Sequence, residues 1–362
     1  MKVTVLHIDD VDRDLRKYKA KFESDERTRG RFAMVSHSPP KSPDDYERIG
    51  EAKPDLLLID YDLSTPDEKG GVIGISGVTL TSELRQKFPE VPIILFTRKS
   101  VFNIQSYANI TGTLSSIDDI VYKQDVFRAG SMKQDEMYDL AVGYRQLRSQ
   151  KTRGWSELLR LLSATQNDAE LLYLCDPPVA SKRSWSVSAV ATWIRGTVVK
   201  YPGILYDPVH SATFLGISEK AFLSDTAQDF LAAAKYSGVF PPSDARWWKS
   251  KLQSTANSIM NNTEKALPVR EGFPMAWERT RGTPPDKSTC VFSGESPPEW
   301  VCYILKRPVM IKYSLSYKPD LRPRVMDEAR VSFTAVRKSN DFDERLVDPL
   351  GREMIPGIRK MP

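Results

Sequence analysis

Apolar and polar stretches alternate regularly along the first 150 residues of the chain. The runs Val3–Ile8, 55–60 and Pro92–Phe96 are apolar on both faces, which is typical of strands buried inside a parallel sheet. Shorter runs at 32–36 and 119–122 predict two further strands. Polar stretches with helical spacing predict helices at about 11–23, 44–51, 78–88, 101–109 and 133–149. The pattern predicts an α/β fold with a doubly wound, five-stranded parallel sheet.

The pattern changes in the second half of the chain. Helical spacing there predicts helices at 155–162, 187–199, 218–222 and 225–234, and at about 243–261, where Ser243 is a candidate N-cap. Four β-prone runs follow, at 288–292, 300–305, 309–313 and 329–336. We therefore expect an α+β region after the sheet, with a mainly helical part at 151–268 and a β-rich, basic part at 269–362.

Composition and charge support a boundary near residue 150. Residues 1–150 carry 22 basic and 24 acidic side chains, whereas residues 151–362 carry 30 and 23, so the two parts have net charges of opposite sign. All seven tryptophans lie in the second part. The length of 362 residues also favours two or three domains over one.

The composition is that of a globular protein, with a mean hydropathy of −0.40 and 40% hydrophobic residues. No apolar run approaches the roughly 20 residues that a membrane span needs. The acidic pair Asp9-Asp10 follows the first apolar run too closely for a signal peptide. Three cysteines and three histidines lack the spacing of a zinc site. We expect a cytoplasmic protein that does not contact a membrane.

Acidic residues end two of the predicted strands. Asp9 and Asp10 follow the first strand and Asp60 ends the third, so parallel strands bring these carboxylates to one edge of the sheet. Such an all-oxygen cluster suits Mg²⁺. Thr97 and Lys123 end the fourth and fifth strands, where a hydroxyl and an ammonium group can hold phosphoryl oxygens. The set predicts phosphoryl transfer to a carboxylate, with Asp60 as the nucleophile.

These five positions, in this order at strand ends, resemble the receiver domain of two-component response regulators, which has a flavodoxin-like fold. The resemblance covers residues 1–150. It implies that Asp60 accepts phosphate from the histidine of a partner kinase. Magnesium would be bound by Asp9, Asp10, Asp60 and the backbone carbonyl of Asp62. The resemblance further implies that Thr97 binds a phosphoryl oxygen and that Lys123 pairs with the phosphate.

The sequence departs from the receiver pattern at four places. The segment 64–77 is long and rich in glycine, and we expect it to cover the site. Arg98 replaces the usual small residue after the threonine, and we expect it to shield the phosphoryl group from water. Gln124 replaces the customary proline, and Ile120 replaces the aromatic residue that often moves on phosphorylation. The sequence therefore lacks the aromatic residue of the usual conformational switch.

The sequence leaves the output of the second half open. The favoured hypothesis is a protein-interaction region, which relays the signal or makes the protein a phosphate sink beside a second receiver protein sharing the kinase. The alternative is a DNA-binding transcription regulator that uses a helix-turn-helix-like stretch at 210–223 and nine basic residues in 306–338. A further alternative is an enzyme switched by phosphorylation, with Asp207 and His210 as an acid/base pair. The low density of chemical motifs argues against the enzyme.

Overall fold

The computed structural model describes residues 2–63, 76–98, 116–178, 185–242 and 244–361. These residues form two compact units. The N-terminal unit takes the described residues of 1–161, 178–194 and 239–243, and the second unit takes those of 162–177, 195–238 and 244–362. Within the described residues, no helix combines the length and the apolar character needed to cross a membrane.

The N-terminal unit is built on a five-stranded, all-parallel sheet. Its strands are β1 (Val3–Ile8), β2 (Phe32–His37), β3 (Leu56–Asp60), β4 (Ile93–Thr97) and β5 (Asp119–Tyr122). They lie in the order β2-β1-β3-β4-β5. Every residue of β3 and β4 is buried, as expected for central strands covered on both faces. The predicted doubly wound sheet is confirmed.

Helices connect these strands. Within the described residues they are α1 (Asp12–Ser24), α2 (Pro43–Glu51), α3 (Gly77–Lys87) and α4 (Lys133–Arg148). The predicted helix at 101–109 lies outside the described residues. One apolar core lies between β1, β3 and β4 and the helices α2 and α3. Elsewhere in this unit, Tyr18 and Phe22 of α1 turn toward the sheet and the segment after β5, where they meet Phe96 and Phe127.

Two segments that follow far along the chain also belong to the N-terminal unit. In chain order, α5 (Trp155–Leu162) precedes and α7 (Val187–Trp193) follows α6 (Gln166–Tyr173), which belongs to the second unit. Within the N-terminal unit, α7 packs against α4. Phe240 comes within 6.0 Å of Tyr144 between ring centroids. A Cβ atom on Gly143 would lie 2.3 Å from the Phe240 ring, so this approach requires glycine. The unit therefore extends beyond the sheet and its connections.

The second unit consists of short helices and very short strands. Its helices after α6 are α8 (Pro208–Leu215), α9 (Glu219–Phe222), α10 (Asp225–Leu231), α11 (Lys249–Ile259), α12 (Asn262–Lys265), α13 (Val269–Arg281), α14 (Phe333–Lys338) and α15 (Pro349–Lys360). Its strands pair as three antiparallel ribbons: β6 (Leu205–Tyr206) with β7 (Trp247–Trp248), β8 (Trp300–Val301) with β9 (Pro308–Val309), and β10 (Ser314–Ser316) with β11 (Arg330–Ser332). The α+β character predicted for this region is confirmed.

Two apolar cores support the second unit. One gathers side chains of α8 to α11 and α13 around Trp247, which is 1% exposed and meets Phe222 edge to face at 4.8 Å. The other lies among β9, β10, β11, α14 and α15. The unit therefore has enough buried surface for a core of its own.

Several elements of the second half differ from their predicted form. Ser243, the predicted N-cap, lies outside the described residues, and Trp247–Trp248 form a strand before α11 begins at Lys249. Residues 288–292 form no strand. The predicted strand at 329–336 ends at Ser332, because the Ser332 hydroxyl accepts a hydrogen bond from the Ala335 N–H (3.1 Å) and starts α14. The three-part division at 150 and 268 stays a prediction.

Candidate functional site

The site lies at the carboxyl ends of β1, β3, β4 and β5. Asp9 follows β1, Asp60 ends β3, Thr97 ends β4 and Lys123 follows β5. The Lys123 N–H donates to the Thr97 carbonyl (2.7 Å), which fixes these two residues side by side. All four residues are buried, with Asp9 wholly inaccessible. Strand geometry thus brings together residues that are more than 110 positions apart.

Three carboxylates meet at this edge. One oxygen from each of Asp9, Asp10 and Asp60 lies within 4.8 Å of the other two. Hard carboxylate oxygens at this spacing fit Mg²⁺, which prefers oxygen ligands and keeps several waters. Within the described residues, no other group of histidine, cysteine and carboxylate side chains has metal-binding spacing. The structure therefore brings together three of the four predicted magnesium ligands, and metal binding by them stays a prediction.

Lys123 supplies the positive charge among these carboxylates. Its Nζ lies 2.9 Å from Asp9 Oδ2 and 2.9 Å from Asp60 Oδ2. The ammonium group also lies 5.3 Å from the ring centroid of Phe96 and 5.4 Å from that of Tyr18. Aromatic rings, carboxylates and strand geometry therefore fix the lysine from several sides.

Burial changes the acid–base behaviour of the site. Burial away from water disfavours the ionised carboxylate and raises the pKa of Asp60 to about 7. The positive charge of Lys123 lowers this pKa, and the negative charge of Asp9 raises it. Burial by itself would lower the pKa of Lys123, but Asp60 and Asp9 together raise it above its usual value. Lys123 therefore stays charged at neutral pH, and Asp60 is held near its titration point.

His7 lies directly behind the carboxylates. The ring is fully buried and meets Tyr18 and Phe96 edge to face, with centroid distances of 5.9 and 5.8 Å. Burial, then repulsion by Lys123, lowers the pKa of His7 to about 3. The imidazole is therefore neutral and adds no charge to the site.

The backbone after β3 is tightly constrained. A Cβ atom on Gly77 would lie 2.0 Å from the carbonyl oxygen of Asp60, so α3 can begin beside the site only with glycine there. The Asp62 N–H donates to the Asp60 carboxylate. The predicted cover 64–77 lies outside the described residues except for Ser76 and Gly77. Metal binding by the Asp62 carbonyl stays a prediction.

Asp14 is a fourth carboxylate at the site that was not among the residues predicted from the sequence. Its side chain is 2% exposed, and its Oδ2 lies 3.7 Å from Lys123 Nζ and pairs with the Arg98 guanidinium. The sequence does contain a signal for it. Asp14, Tyr18 and Phe22 recur at helical spacing on the buried face of α1, so a carboxylate interrupts an apolar stripe. Arg98 contacts this carboxylate, and shielding of a phosphoryl group by Arg98 stays a prediction.

The structure also places the other departures from the receiver pattern. Ile120 packs in the apolar core beneath the sheet and pairs with Leu95 of β4. Gln124 is exposed. Neither position holds an aromatic ring that a change at Asp60 could move.

The candidate DNA-reading stretch at 210–223 has a short second helix. Gly216 ends α8 in the left-handed conformation, and Ser218 caps α9, as the sequence predicts. However, α9 has only four residues, and Phe222 is buried in the core. A helix of one turn offers few side chains to a DNA groove.

The remaining candidates of the second half are also tied to structure. Asp207 caps α8 by accepting from the His210 N–H (2.8 Å), and its carboxylate also bonds the His210 ring at Nδ1 (2.8 Å). In the basic stretch 306–338, ion pairs join Lys312 to Glu295, Arg322 to Asp320, and Arg330 to Glu328. These contacts give each group a structural role.

No protein-family model and no curated protein sequence matches the chain. Solved structures do. One is the response regulator TrrA of Thermotoga maritima with Mg²⁺ and BeF, at 19% identity over 37% of this chain and 96% of that one, with a TM-score of 0.26. A second is a LuxR-family two-component response regulator from Aurantimonas, at 17% identity over 40% of this chain and 87% of that one, with a TM-score of 0.29. A third is a response regulator receiver domain from Clostridium thermocellum, at 16% identity over 40% of this chain and 98% of that one, with a TM-score of 0.28.

The strand order and the residues at the strand ends are independent of these comparisons. On those grounds, the N-terminal unit has the flavodoxin-like fold of response-regulator receiver domains.

Proposed function

We propose that the chain is a cytoplasmic response regulator that accepts a phosphoryl group on Asp60 from a histidine kinase, with Mg²⁺ as cofactor. The observation that carries the proposal is the cluster of Asp9, Asp10 and Asp60 around Lys123 at the carboxyl edge of a doubly wound sheet. Carboxylates crowded beside a single lysine repel one another, and a bound divalent cation would offset that repulsion.

In the proposed step, a carboxylate oxygen of Asp60 forms a bond to phosphorus. The bond between phosphorus and the imidazole nitrogen of the donor breaks, and its electron pair stays on that nitrogen. Asp60 must be ionised to attack, and its pKa of about 7 places the ionised form within reach at neutral pH. Bound Mg²⁺ would offset the negative charge of the carboxylates and of the phosphoryl oxygens.

The neighbouring side chains receive matching roles. Asp9 and Asp10 would hold the metal together with Asp60 and the Asp62 carbonyl. Lys123, which already contacts Asp60, would pair with a phosphoryl oxygen once the group is in place. Thr97 lies beside Lys123 at the end of β4, where its hydroxyl would bind another phosphoryl oxygen.

We propose an interaction role for the second unit, either as a relay or in a phosphate sink. The four-residue α9 and the paired arginines of 306–338 favour protein contacts over DNA reading. The cap formed by Asp207 accounts for its contact with His210 without catalysis. The sink predicts that adding this protein lowers phosphotransfer from a shared kinase to a second receiver protein.

The site assignment is tested with acetyl phosphate and Mg²⁺, followed by intact-mass measurement. The wild-type chain should gain one phosphoryl group, and Asp60→Asn should gain none because an amide cannot form the acyl phosphate. Asp62→Asn is the matched control, since the Asp62 side chain is exposed and its backbone carbonyl is unchanged. Equal uptake by Asp60→Asn and wild type would contradict the proposal.

A further inference from the structure

Asp14 and Arg98 form an ion pair beside Lys123. The Asp14 side chain is 2% exposed, whereas that of Arg98 is 59% exposed, so a surface cation caps a buried anion. The same oxygen, Asp14 Oδ2, lies 3.7 Å from Lys123 Nζ. Among the described residues, Asp14 Oδ1 has no hydrogen-bond partner. Asp14 therefore depends on these two cations.

Three carboxylates lie near the ammonium group of Lys123. It lies 2.9 Å from both Asp9 and Asp60 but 0.8 Å farther from Asp14. Electrostatic attraction grows as distance falls, and a buried charge without a partner is strongly unfavourable. If Arg98 were lost, Lys123 would be the one cation left beside Asp14 among the residues that the structure describes, and a small rotation of its flexible stem would bring the two into contact.

We propose that Arg98 is a positioning residue that occupies Asp14 and thereby leaves Lys123 free for Asp60 and the incoming phosphoryl group. Arg98 acts through Asp14 and Lys123, without touching the phosphoryl group. The effect on phosphoryl transfer rests on the proposed function, while the effect on the position of Lys123 does not.

This role predicts that removing Asp14 reverses the damage caused by removing Arg98. In Arg98→Ala, Asp14 draws Lys123 from Asp60, and the initial rate of phosphoryl uptake from acetyl phosphate should fall about fivefold, the scale expected for directly interacting residues. Arg98→Lys keeps the charge and should stay close to wild type. In Asp14→Asn/Arg98→Ala, no buried anion competes for Lys123, and the rate should return toward wild type.

The matched control is Arg29→Ala, which removes an exposed arginine from another part of the same unit. Its uptake should equal that of wild type. An Arg98→Ala rate equal to wild type, or a double variant no faster than Arg98→Ala, would overturn the inference. A merely structural role for Arg98 would not give rescue by a second substitution.

A crystal structure of Arg98→Ala tests the same inference without phosphoryl transfer. We expect Lys123 Nζ within hydrogen-bond distance of Asp14 and displaced from Asp60. Lys123 at its wild-type position would overturn the inference. Absence of uptake in the wild-type chain would instead contradict the proposed function, so the two failures are distinguishable.

Discussion

The two units of the chain use buried polar groups in different ways. In the N-terminal unit, Asp9 and Asp60 are buried together at a sheet edge, and both carboxylates contact the ammonium group of the buried Lys123. In the second unit, the buried side chains of Glu264 and Ser332 each accept a backbone N–H at the start of a helix. Glu264 accepts from Asn261, the N-cap of α12, and Ser332 accepts from Ala335 of α14. Caps satisfy backbone N–H groups and need no ligand. A contact with the start of a helix explains a buried carboxylate without a ligand, whereas Asp9 and Asp60 also share one buried lysine and are therefore candidates for chemistry.

We expect the greatest loss of folding stability from a substitution in the core of the second unit. Trp247→Ala should destabilise it by about 3–5 kcal/mol, because the indole fills the core against Phe222. Chemical denaturation followed by circular dichroism measures the change. The exposed residue Leu321 gives a control, since Leu321→Ala should unfold as wild type does. An unfolding midpoint unaffected by Trp247→Ala would show that this core does not form.

A substitution at Gly143 tests whether the segment around Phe240 packs in the N-terminal unit. Gly143→Ala should destabilise the protein by about 1–3 kcal/mol, because its methyl group would overlap the Phe240 ring. The double variant Gly143→Ala/Phe240→Ala should lose less than the sum of the two single variants, and denaturation measures all three. Strict additivity would mean that residues 239–243 do not pack on α4.

Burial of Asp60 should make the folding stability of the protein depend on pH. Its pKa is raised from 3.8 to about 7, so the folded state holds a proton that the unfolded state releases. This contribution to stability is complete below pH 4 and is lost as the pH rises through 7. Asp60→Asn avoids that loss. Without Mg²⁺, we expect its advantage over wild type to be about 1 kcal/mol or more at pH 8 and near zero at pH 4.

Thermal unfolding of both proteins in a chelator measures this difference. An advantage that shrinks as the pH rises from 4 to 8 would contradict the burial of an ionised Asp60. Asp62→Asn again serves as the control, because it removes an exposed carboxylate close to the site. Its stability relative to wild type should change less with pH than that of Asp60→Asn.

We expect the least change in a measurement of duplex DNA binding. Residues 306–338 are basic, but several of their cations pair with neighbouring carboxylates, and α9 is a single turn. We expect at most weak, sequence-independent duplex binding at physiological salt, with a shallow dependence on salt concentration. Arg322→Ala and Lys220→Ala should leave it unchanged. Tight, sequence-selective binding that these variants abolish would favour the transcription-regulator alternative.

The sequence predicted the N-terminal sheet well because its central strands β1, β3 and β4 are mainly apolar runs. Val3–Ile8 and Asp119–Tyr122 have the bounds expected from the pattern. The ends of parallel strands must meet, so Asp9, Asp60, Thr97 and Lys123 could be grouped without a structure. Asp14 could not be grouped in this way, because its place depends on how α1 packs against Phe96 of β4 and Phe127 after β5.

The second half resisted prediction for a physical reason. Its strands have two or three residues, which is too short for an alternating pattern to emerge. Their pairing joins distant segments, such as Leu205 with Trp248. Side-chain caps then decide where each element ends, as Ser332 does at α14. Sequence pattern alone therefore predicts the class of this region and few of its strands.

The most direct test of the central claim identifies the residue that carries the phosphoryl group. Borohydride reduces an aspartyl phosphate to homoserine, and mass mapping of the peptides then locates it. After incubation with acetyl phosphate and Mg²⁺, we expect homoserine at position 60 alone, and none when a chelator replaces Mg²⁺. Homoserine at Asp10 or Asp62, or phosphoryl uptake that leaves residue 60 unmodified, would contradict the account.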